Sequence, residues 1–370
     1  MVFAYRGANK DVSEVKASIQ SASGTLLDAA SESAPSQPAT LSQTSTVIAP
    51  AAPAQAAIVV RDLYKRYVDI DVVKGMSFSV PRGCCFGILG PNGAGKTSLL
   101  GMIEGIVPIT SGSISVMGMD VATELRKIQP MGGVQLQYNN YFQFLTVAEL
   151  LKFYTELRAA ASGKPSHALK PPMQLLERLD LGDKLKFKVE ELSGGQRQRL
   201  SIALALIADP QIVFLDEPTA ALDPHSRRYT WEFIEELKQA RNRTIVLTTH
   251  YMEEAERLCD EIMIMNSGQI VGQGNPSGLI AELNASQQTR VRLEVGAPGS
   301  EIANALSPRY SAHWDGFNDT LVIASEDVVG ALRDSIAQAE AHGATVLDIR
   351  VGRLSLEDVF LNKTGKELKP

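Results

Sequence analysis

The string Gly90-Pro91-Asn92-Gly93-Ala94-Gly95-Lys96-Thr97 constrains this chain more than any other, because it fixes a fold element and a ligand class together. Before it, Cys85-Phe86-Gly87-Ile88-Leu89 is a short apolar run that reads as a buried strand, and after it Ser98-Leu99-Leu100-Gly101-Met102-Ile103 continues as a helix. A glycine-rich loop at such a junction turns its backbone N–H groups inward, and the helix N-terminus adds partial positive charge. The result is a cradle for phosphate. The spacing assigns Lys96 to the terminal phosphates of a nucleoside triphosphate and the Thr97 hydroxyl to Mg²⁺. Alone, the loop leaves kinases, GTPases and helicases equally open.

Composition narrows the class. The 370 residues are 44% hydrophobic and 21% charged, an ordinary globular balance with length enough for two domains. Lys plus Arg number 36 against 42 Asp plus Glu, and the net charge of -6 offers no basic footprint, so no nucleic-acid partner is expected. Three cysteines, two of them the adjacent Cys84 and Cys85, form neither a disulfide framework nor a metal-ligand pattern, which fits a reducing compartment. No window approaches the roughly 20 consecutive apolar residues of a membrane-spanning helix. The first ten residues run into Asp11 and Glu14 rather than an apolar core, so no secretory signal is expected and the chain should stay on the side where it is made.

Residues 1 to about 57 are rich in Ala, Ser, Thr, Gln and Pro and read as a disordered tail or tether. From Ile58 the pattern changes: Ile58-Val59-Val60 and Met76-Ser77-Phe78-Ser79-Val80 predict strands. Thr146 to about Leu181 predicts mostly helix, with Val147, Leu150, Leu151 and Tyr154 at helical spacing. The continuous apolar runs Ile212-Val213-Phe214-Leu215 and Thr244-Ile245-Val246-Leu247 predict central parallel strands covered on both faces. After about Asn275, two alternating stretches (Val291, Leu293, Val295 and Leu347, Ile349, Val351) flank a helical stripe from Val328 to Ala339 closed by Gly343. This predicts a small α+β appendage, whose His313 and His342 read as surface or packing residues.

Two further strings carry chemistry. Leu215-Asp216-Glu217-Pro218 ends a buried strand and delivers two carboxylates to the carboxyl edge of the sheet, where nucleotide sites of α/β folds lie. Asp216 is placed to bind the metal or its water shell, and Glu217 to polarise an attacking water. Leu192-Ser193-Gly194-Gly195-Gln196-Arg197-Gln198-Arg199-Leu200 predicts a helix capped by Ser193, with glycines that admit an anion to its first turn.

In this order, the phosphate loop, the LSGGQ string, the Asp-Glu pair and a strand-ending histidine resemble the ATP-binding cassette family over roughly residues 58–275. The resemblance implies an α/β fold: a P-loop NTPase nucleotide-binding domain with an antiparallel β subdomain and a helical subdomain at about 138–208. Residues 276–370 then form the C-terminal α+β accessory domain. It implies ATP and Mg²⁺ as cofactors, with Gly90, Pro91, Asn92, Gly93, Ala94, Gly95, Lys96, Thr97 and Ser98 around the phosphates. Tyr67 looks like the aromatic that stacks on adenine, with Tyr64 as the alternative. Gln137 looks like the Q-loop glutamine that touches Mg²⁺ and links to a membrane partner, with Gln135 as the alternative; Leu136 stands where many relatives have Pro. His250 resembles the switch histidine at the γ-phosphate, and Asp223 matches the D-loop, with Ala221 where many relatives have Gly. Glu217, His250 and Gln137 are thus the implied catalytic set, and Thr97, Gln137 and Asp216 the metal set. Ser193, Gly194, Gly195 and Gln196, in this family, cap the γ-phosphate bound to the opposite subunit, so the resemblance implies a homodimer.

The string Ser355-Leu356-Glu357-Asp358-Val359-Phe360-Leu361, followed by Thr364-Gly365-Lys366-Glu367-Leu368, resembles the ending of bacterial ABC-2 type exporter ATPases, the drug-resistance and nodulation-factor export group. The same string also reads as a terminal amphipathic helix packed on the appendage. The exporter resemblance implies a separate transmembrane permease and a peripheral place on the cytoplasmic face of the cell membrane. The alternative is a soluble relative acting on ribosomes or DNA.

Overall fold

The computed structural model describes residues 56–135, 142–163, 173–220, 222–239, 243–283, 289–295, 299–315, 320–325, 327–352 and 355–364. The stretch assigned to the tail lies outside them except for Ala56 and Ala57, which are buried and already belong to a strand. That strand, β1 (Ala56–Tyr67), buries Ile58, Val60 and Leu63, turns at Val68-Asp69 and pairs antiparallel with β2 (Ile70–Pro81). β3 (Cys85–Leu89) is buried at every position and leads through the phosphate loop into α1 (Lys96–Ile103). Next come β4 (Ser111–Val116), β5 (Met119–Asp120), α2 (Val121–Ile128) and β6 (Gly132–Gln135).

α3 (Val147–Ser162) starts at Thr146, which shares a reciprocal capping box with Glu149 and satisfies N–H groups the first turn leaves open. α4 (Met173–Arg178) and α5 (Gly194–Leu206) follow, the latter capped by Ser193 and Gln196 in the same way. Then β7 (Ile212–Asp216), α6 (Pro224–Gln239), β8 (Thr244–Thr249), α7 (Met252–Leu258), β9 (Glu261–Asn266), β10 (Gln269–Gly274) and α8 (Pro276–Leu283) complete this part.

Two sheets organise these elements, an antiparallel one in the order β2-β1-β4-β5 and a six-stranded one in the order β10-β9-β3-β8-β7-β6. In the second, β9, β3, β8, β7 and β6 are parallel and β10 is an antiparallel edge. β7 and β8 are buried throughout, the outcome their uninterrupted apolar runs predict for strands covered on both faces. One core binds the antiparallel sheet to the central one through Val60, Phe78, Phe86, Leu99 and Val246, with the rings of Phe78 and Phe86 stacked at 5.9 Å. The other lies under the helices and gathers Leu150, Leu192, Leu200, Leu215, Leu247 and Leu258. The pairs Leu89 with Thr249 and Asp216 with Thr248 bring the carboxyl ends of β3, β8 and β7 level.

Beyond α8 the chain forms β11 (Thr289–Val295), α9 (Gly299–Leu306), β12 (Ser311–Asp315), β13 (Thr320–Ser325), α10 (Val328–Ala341) and β14 (Val346–Gly352). Their βαββαβ succession and sheet order β12-β13-β11-β14 give the ferredoxin-like split βαβ topology. α10 ends with Gly343 N–H bonded to the Glu340 carbonyl and Ala344 N–H to that of Ala339. Ile302, Leu306, Leu321, Ile323 and Ala331 form a third core of its own.

The last helix, α11 (Leu356–Thr364), does not pack on this appendage as the sequence suggests. Leu356, Val359 and Phe360 enter the core under the helices, with Leu258 and Leu279. The Leu356 N–H donates to Glu256 Oε1 at 2.6 Å, and Lys363 stands 3.7 Å from Glu282, so α11 is seated on α7 and α8. Its buried apolar residues belong to the core under the helices, and none of them to the appendage core. All three cysteines are buried and free, and among the described residues no helix is long and apolar enough to cross a membrane.

Candidate nucleotide site

Gly95 caps α1 in the left-handed region, at φ 101, where a glycine carries no steric penalty. A Cβ there would lie 2.8 Å from the Val72 carbonyl oxygen, and one on Gly90 would lie 2.4 Å from that of Met265. The loop is therefore pressed between the start of β2 and the end of β9. No side chain caps α1, so its first N–H groups are open to an anion. The Lys96 ammonium is buried, donates to the carbonyls of Gly90 at 2.8 Å and Pro91 at 3.3 Å, and stands 3.4 Å from Glu217 Oε1. Burial lowers its pKa, and the Glu217 charge opposes that shift.

The two carboxylates are held by one threonine. Thr248 Oγ1 donates to Asp216 Oδ1 at 2.5 Å and accepts the Glu217 N–H at 3.0 Å, while the Thr248 carbonyl accepts the same N–H at 3.2 Å. Glu217 sits at φ 49, a left-handed conformation before Pro218 that costs on the order of 1–3 kcal/mol and concentrates at functional sites. The turn swings its carboxylate off the strand direction of Asp216. His250 Nδ1 lies 3.5 Å from Glu217 Oε1, which thus stands between an ammonium and an imidazole. Burial raises the pKa of Asp216, while hydrogen bonds from Thr248 and Thr97 oppose the rise.

The signature residues stand beside the exit of β7. Ser193 Oγ accepts the Gln196 N–H at 3.2 Å, and Gln196 Oε1 accepts the Ser193 N–H at 3.0 Å. A Cβ on Gly195 would lie 2.8 Å from Ser226 Oγ, and Gln198 Nε2 donates to the Pro218 carbonyl at 2.8 Å. Asp223 accepts the N–H groups of His225 and Ser226, both at 3.0 Å, and so starts α6. Gly194 has nothing within 4 Å of where a Cβ would be.

Tyr67 closes β1 with an exposed ring beneath the Lys65 ammonium, 4.4 Å from its centroid. Its hairpin partner Ile70 is two residues from Val72, whose carbonyl overlies Gly95, so the ring stands on the hairpin that flanks the loop. Tyr64 instead lies over Gly75. Gln137 is outside the described residues. Gln135 ends β6, is buried, and its Nε2 donates to the Asp216 carbonyl at 3.4 Å.

Lys96, Thr97, Asp216, Glu217 and His250 therefore converge, whereas Ser193 to Gln196 stand against α6. The loop fits a triphosphate, and the Thr97 hydroxyl with the neighbouring Asp216 carboxylate is the kind of hard oxygen set that Mg²⁺ takes alongside phosphate oxygens. Sequence reading assigns nothing to Thr248 or Gln198, the residues that hold these groups in place. Two hydroxyls directly before the strand-ending histidine, and a glutamine two residues past the signature, were the available signals.

Comparison with known proteins agrees. A family model described as ABC transporter matches residues 73–220. Nod factor export ATP-binding protein I of Rhizobium meliloti (strain 1021) is 38% identical over 321 residues, which cover 86% of this chain and 91% of that protein. The protein of the same name from Burkholderia lata is 37% identical over 310 residues, covering 84% of this chain and 97% of that protein. Among solved structures, cbiO1 from Clostridium perfringens, part of the ABC transporter complex cbiONQ, superimposes with a TM-score of 0.55 at 26% identity over 69% of this chain and 96% of that one. An ATP-binding subunit of an ABC transporter gives a TM-score of 0.54 at 27% identity over 61% of this chain and 93% of that one.

Proposed function

The chain belongs to the ATP-binding cassette transporter ATPases, and we infer that it powers export through a separate ABC-2 type permease on the cytoplasmic face of the cell membrane. The observation that carries the ATPase part of this reading is the convergence of Lys96, Glu217 and His250 beside Asp216. Relatives named for Nod factor export favour an exporter over a soluble ATPase of ribosomes or DNA.

When a triphosphate fills the loop, Lys96 exchanges the Gly90 and Pro91 carbonyls and Glu217 for phosphate oxygens. Glu217 is then left facing the space where a water attacks the γ-phosphate, and accepts its proton, a role worth roughly 10²- to 10⁴-fold. His250, 3.5 Å from that carboxylate, reaches the same phosphate. Thr97 and Asp216, with Gln137, would hold Mg²⁺, which when bound neutralises charge on the phosphate oxygens. Tyr67 stacks on the base.

Ser193, Gly194 and Gly195 head a helix whose first turn faces outward beside α6, and they serve the ATP of a second copy in a head-to-tail homodimer. Closure of the two copies on ATP and their release on hydrolysis is the stroke. The permease docks on the exposed rings that follow the segment containing Gln137: Phe142 lies 5.9 Å from Phe144 and 5.7 Å from Phe153. The test is ATPase activity of wild type against Glu217→Gln, with co-purification of a multi-span membrane protein. Equal activity would defeat the catalytic assignment, and a chain recovered on ribosomes without a membrane partner would defeat the transport assignment.

A further inference from the structure

His250 Nδ1 is buried without a hydrogen-bond partner among the described residues, and Glu217 Oε1 lies 3.5 Å from it. The ring is held by stacking instead. Tyr251 lies with its ring centroid 4.2 Å from that of His250, tilted by 40°. The Arg227 guanidinium in turn lies over the Tyr251 ring, 4.2 Å from its centroid.

Each member is fixed from a different element. Arg227 stands in the first turn of α6, its N–H bonded to the Asp223 carbonyl at 2.9 Å and its Nη2 to the Leu222 carbonyl at 3.5 Å. Its Nε is buried with no hydrogen-bond partner among the described residues, so there the aromatic face is what it meets. The Tyr251 N–H donates to Thr249 Oγ1 at 2.9 Å and fixes the turn leaving β8. Beneath them, the fully buried Glu254 accepts from Thr219 Oγ1 at 2.7 Å and from Trp231 Nε1 at 2.9 Å, and attracts the Arg227 charge. One acid thereby ties the exit of β7, the start of α6 and the helix after His250 together.

We propose that Arg227 and Tyr251 are positioning residues for His250, a stacked relay that sets the imidazole at Glu217 according to where the Asp223 turn places α6. The relay needs a planar cation on an aromatic face and an aromatic ring against the imidazole. A lysine at 227 keeps the charge and loses the plane. A phenylalanine at 251 keeps the ring. The contacts of Arg227 and Tyr251 run to His250, the Asp223 turn and Thr249 and not to the phosphate loop, so the relay acts on turnover and not on ATP affinity. It rests on the assignment of Glu217 and His250 made above.

The experiment uses the full chain. ATPase kcat is measured for Tyr251→Ala, Tyr251→Phe, Arg227→Ala, Arg227→Lys, His250→Ala and the double variant Tyr251→Ala with His250→Ala. Calorimetry with Mg-ATP in a Glu217→Gln background gives the affinity. The relay predicts that kcat falls about ten- to a hundredfold in Tyr251→Ala, the scale of a misplaced catalytic group. Tyr251→Phe retains most activity, Arg227→Lys resembles Arg227→Ala, ATP affinity stays within about twofold, and the double variant is no worse than His250→Ala. Tyr251→Leu replaces Tyr251→Ala if the latter does not melt cooperatively. Wild-type turnover in the ringless variant beside an inactive His250→Ala overturns the relay alone, as does a Tyr251→Phe variant as impaired as Tyr251→Ala. Wild-type turnover in both His250→Ala and Glu217→Gln overturns the underlying assignment instead.

Discussion

Phe360→Ala tests where the last helix of the chain belongs. The ring is 1% exposed and lies in the core that also holds Leu258 of α7 and Leu279 of α8, with Leu356 and Val359 beside it on α11. Truncating a phenylalanine in such a setting costs about 3–5 kcal/mol, the transfer of the ring plus the cavity it leaves. The two tryptophans divide the readout: Trp231 is buried in the core that receives α11, and Trp314 packs in the core of the appendage. Urea unfolding is followed by fluorescence in Trp314→Phe and Trp231→Phe backgrounds, each with and without Phe360→Ala. The expected result is a transition reported by Trp231 that loses about 3–5 kcal/mol, while that reported by Trp314 moves little. Val329, 79% exposed, and Leu347, 71% exposed, supply appendage controls, whose truncation should stay within about 0.5 kcal/mol. A loss confined to Trp314, or a loss below about 1 kcal/mol at Trp231, would refute the seating of α11 on α7 and α8.

Three further outcomes are expected. Glu104 Oε1 is buried without a partner among the described residues, and burial, with the Asp216 charge second, pushes its carboxyl from 4.5 up to about 8. The folded state thus keeps a proton that the unfolded chain releases, so the stability of the neutral acid is full below pH 4.5 and is lost as pH rises through about 8. Glu104→Gln should flatten that decline in urea unfolding and be the more stable protein at about pH 9; parallel curves would contradict it. Tyr67→Ala should weaken ATP binding about tenfold by calorimetry, within the ~1–3 kcal/mol of base stacking, and Tyr67→Phe should restore it. Phe144→Glu should abolish co-purification with the permease and leave ATP affinity unchanged; retention of the partner would remove the aromatic patch from the docking surface.

The central sheet was legible because its signals are local. Uninterrupted apolar runs at Ile212 to Leu215 and Thr244 to Leu247 leave buried parallel strands as the consistent reading, and the glycine spacing from Gly90 to Thr97 places a phosphate loop between strand and helix. The convergence of Asp216, Glu217 and His250 was legible from the same signals, since they stand at the ends of those runs. The groups that orient them were not legible. Thr248 acts through pairing of β7 with β8, Gln198 reaches from α5 to Pro218 in the turn after β7, and Arg227 meets Tyr251 only after α6 and α7 pack, so no spacing in the chain announces them. The docking of α11 depends on a core contributed by residues about a hundred positions away, as the bond from Leu356 to Glu256 shows.

In the proposed dimer one chain holds half of an ATP site. Sedimentation of Glu217→Gln with and without Mg-ATP measures it directly. A monomer that becomes a stable dimer only with Mg-ATP, and no longer does so once Ser193→Arg is added, is the predicted result. A chain that remains monomeric at saturating Mg-ATP, while the wild type hydrolyses ATP at a rate independent of protein concentration, would contradict it.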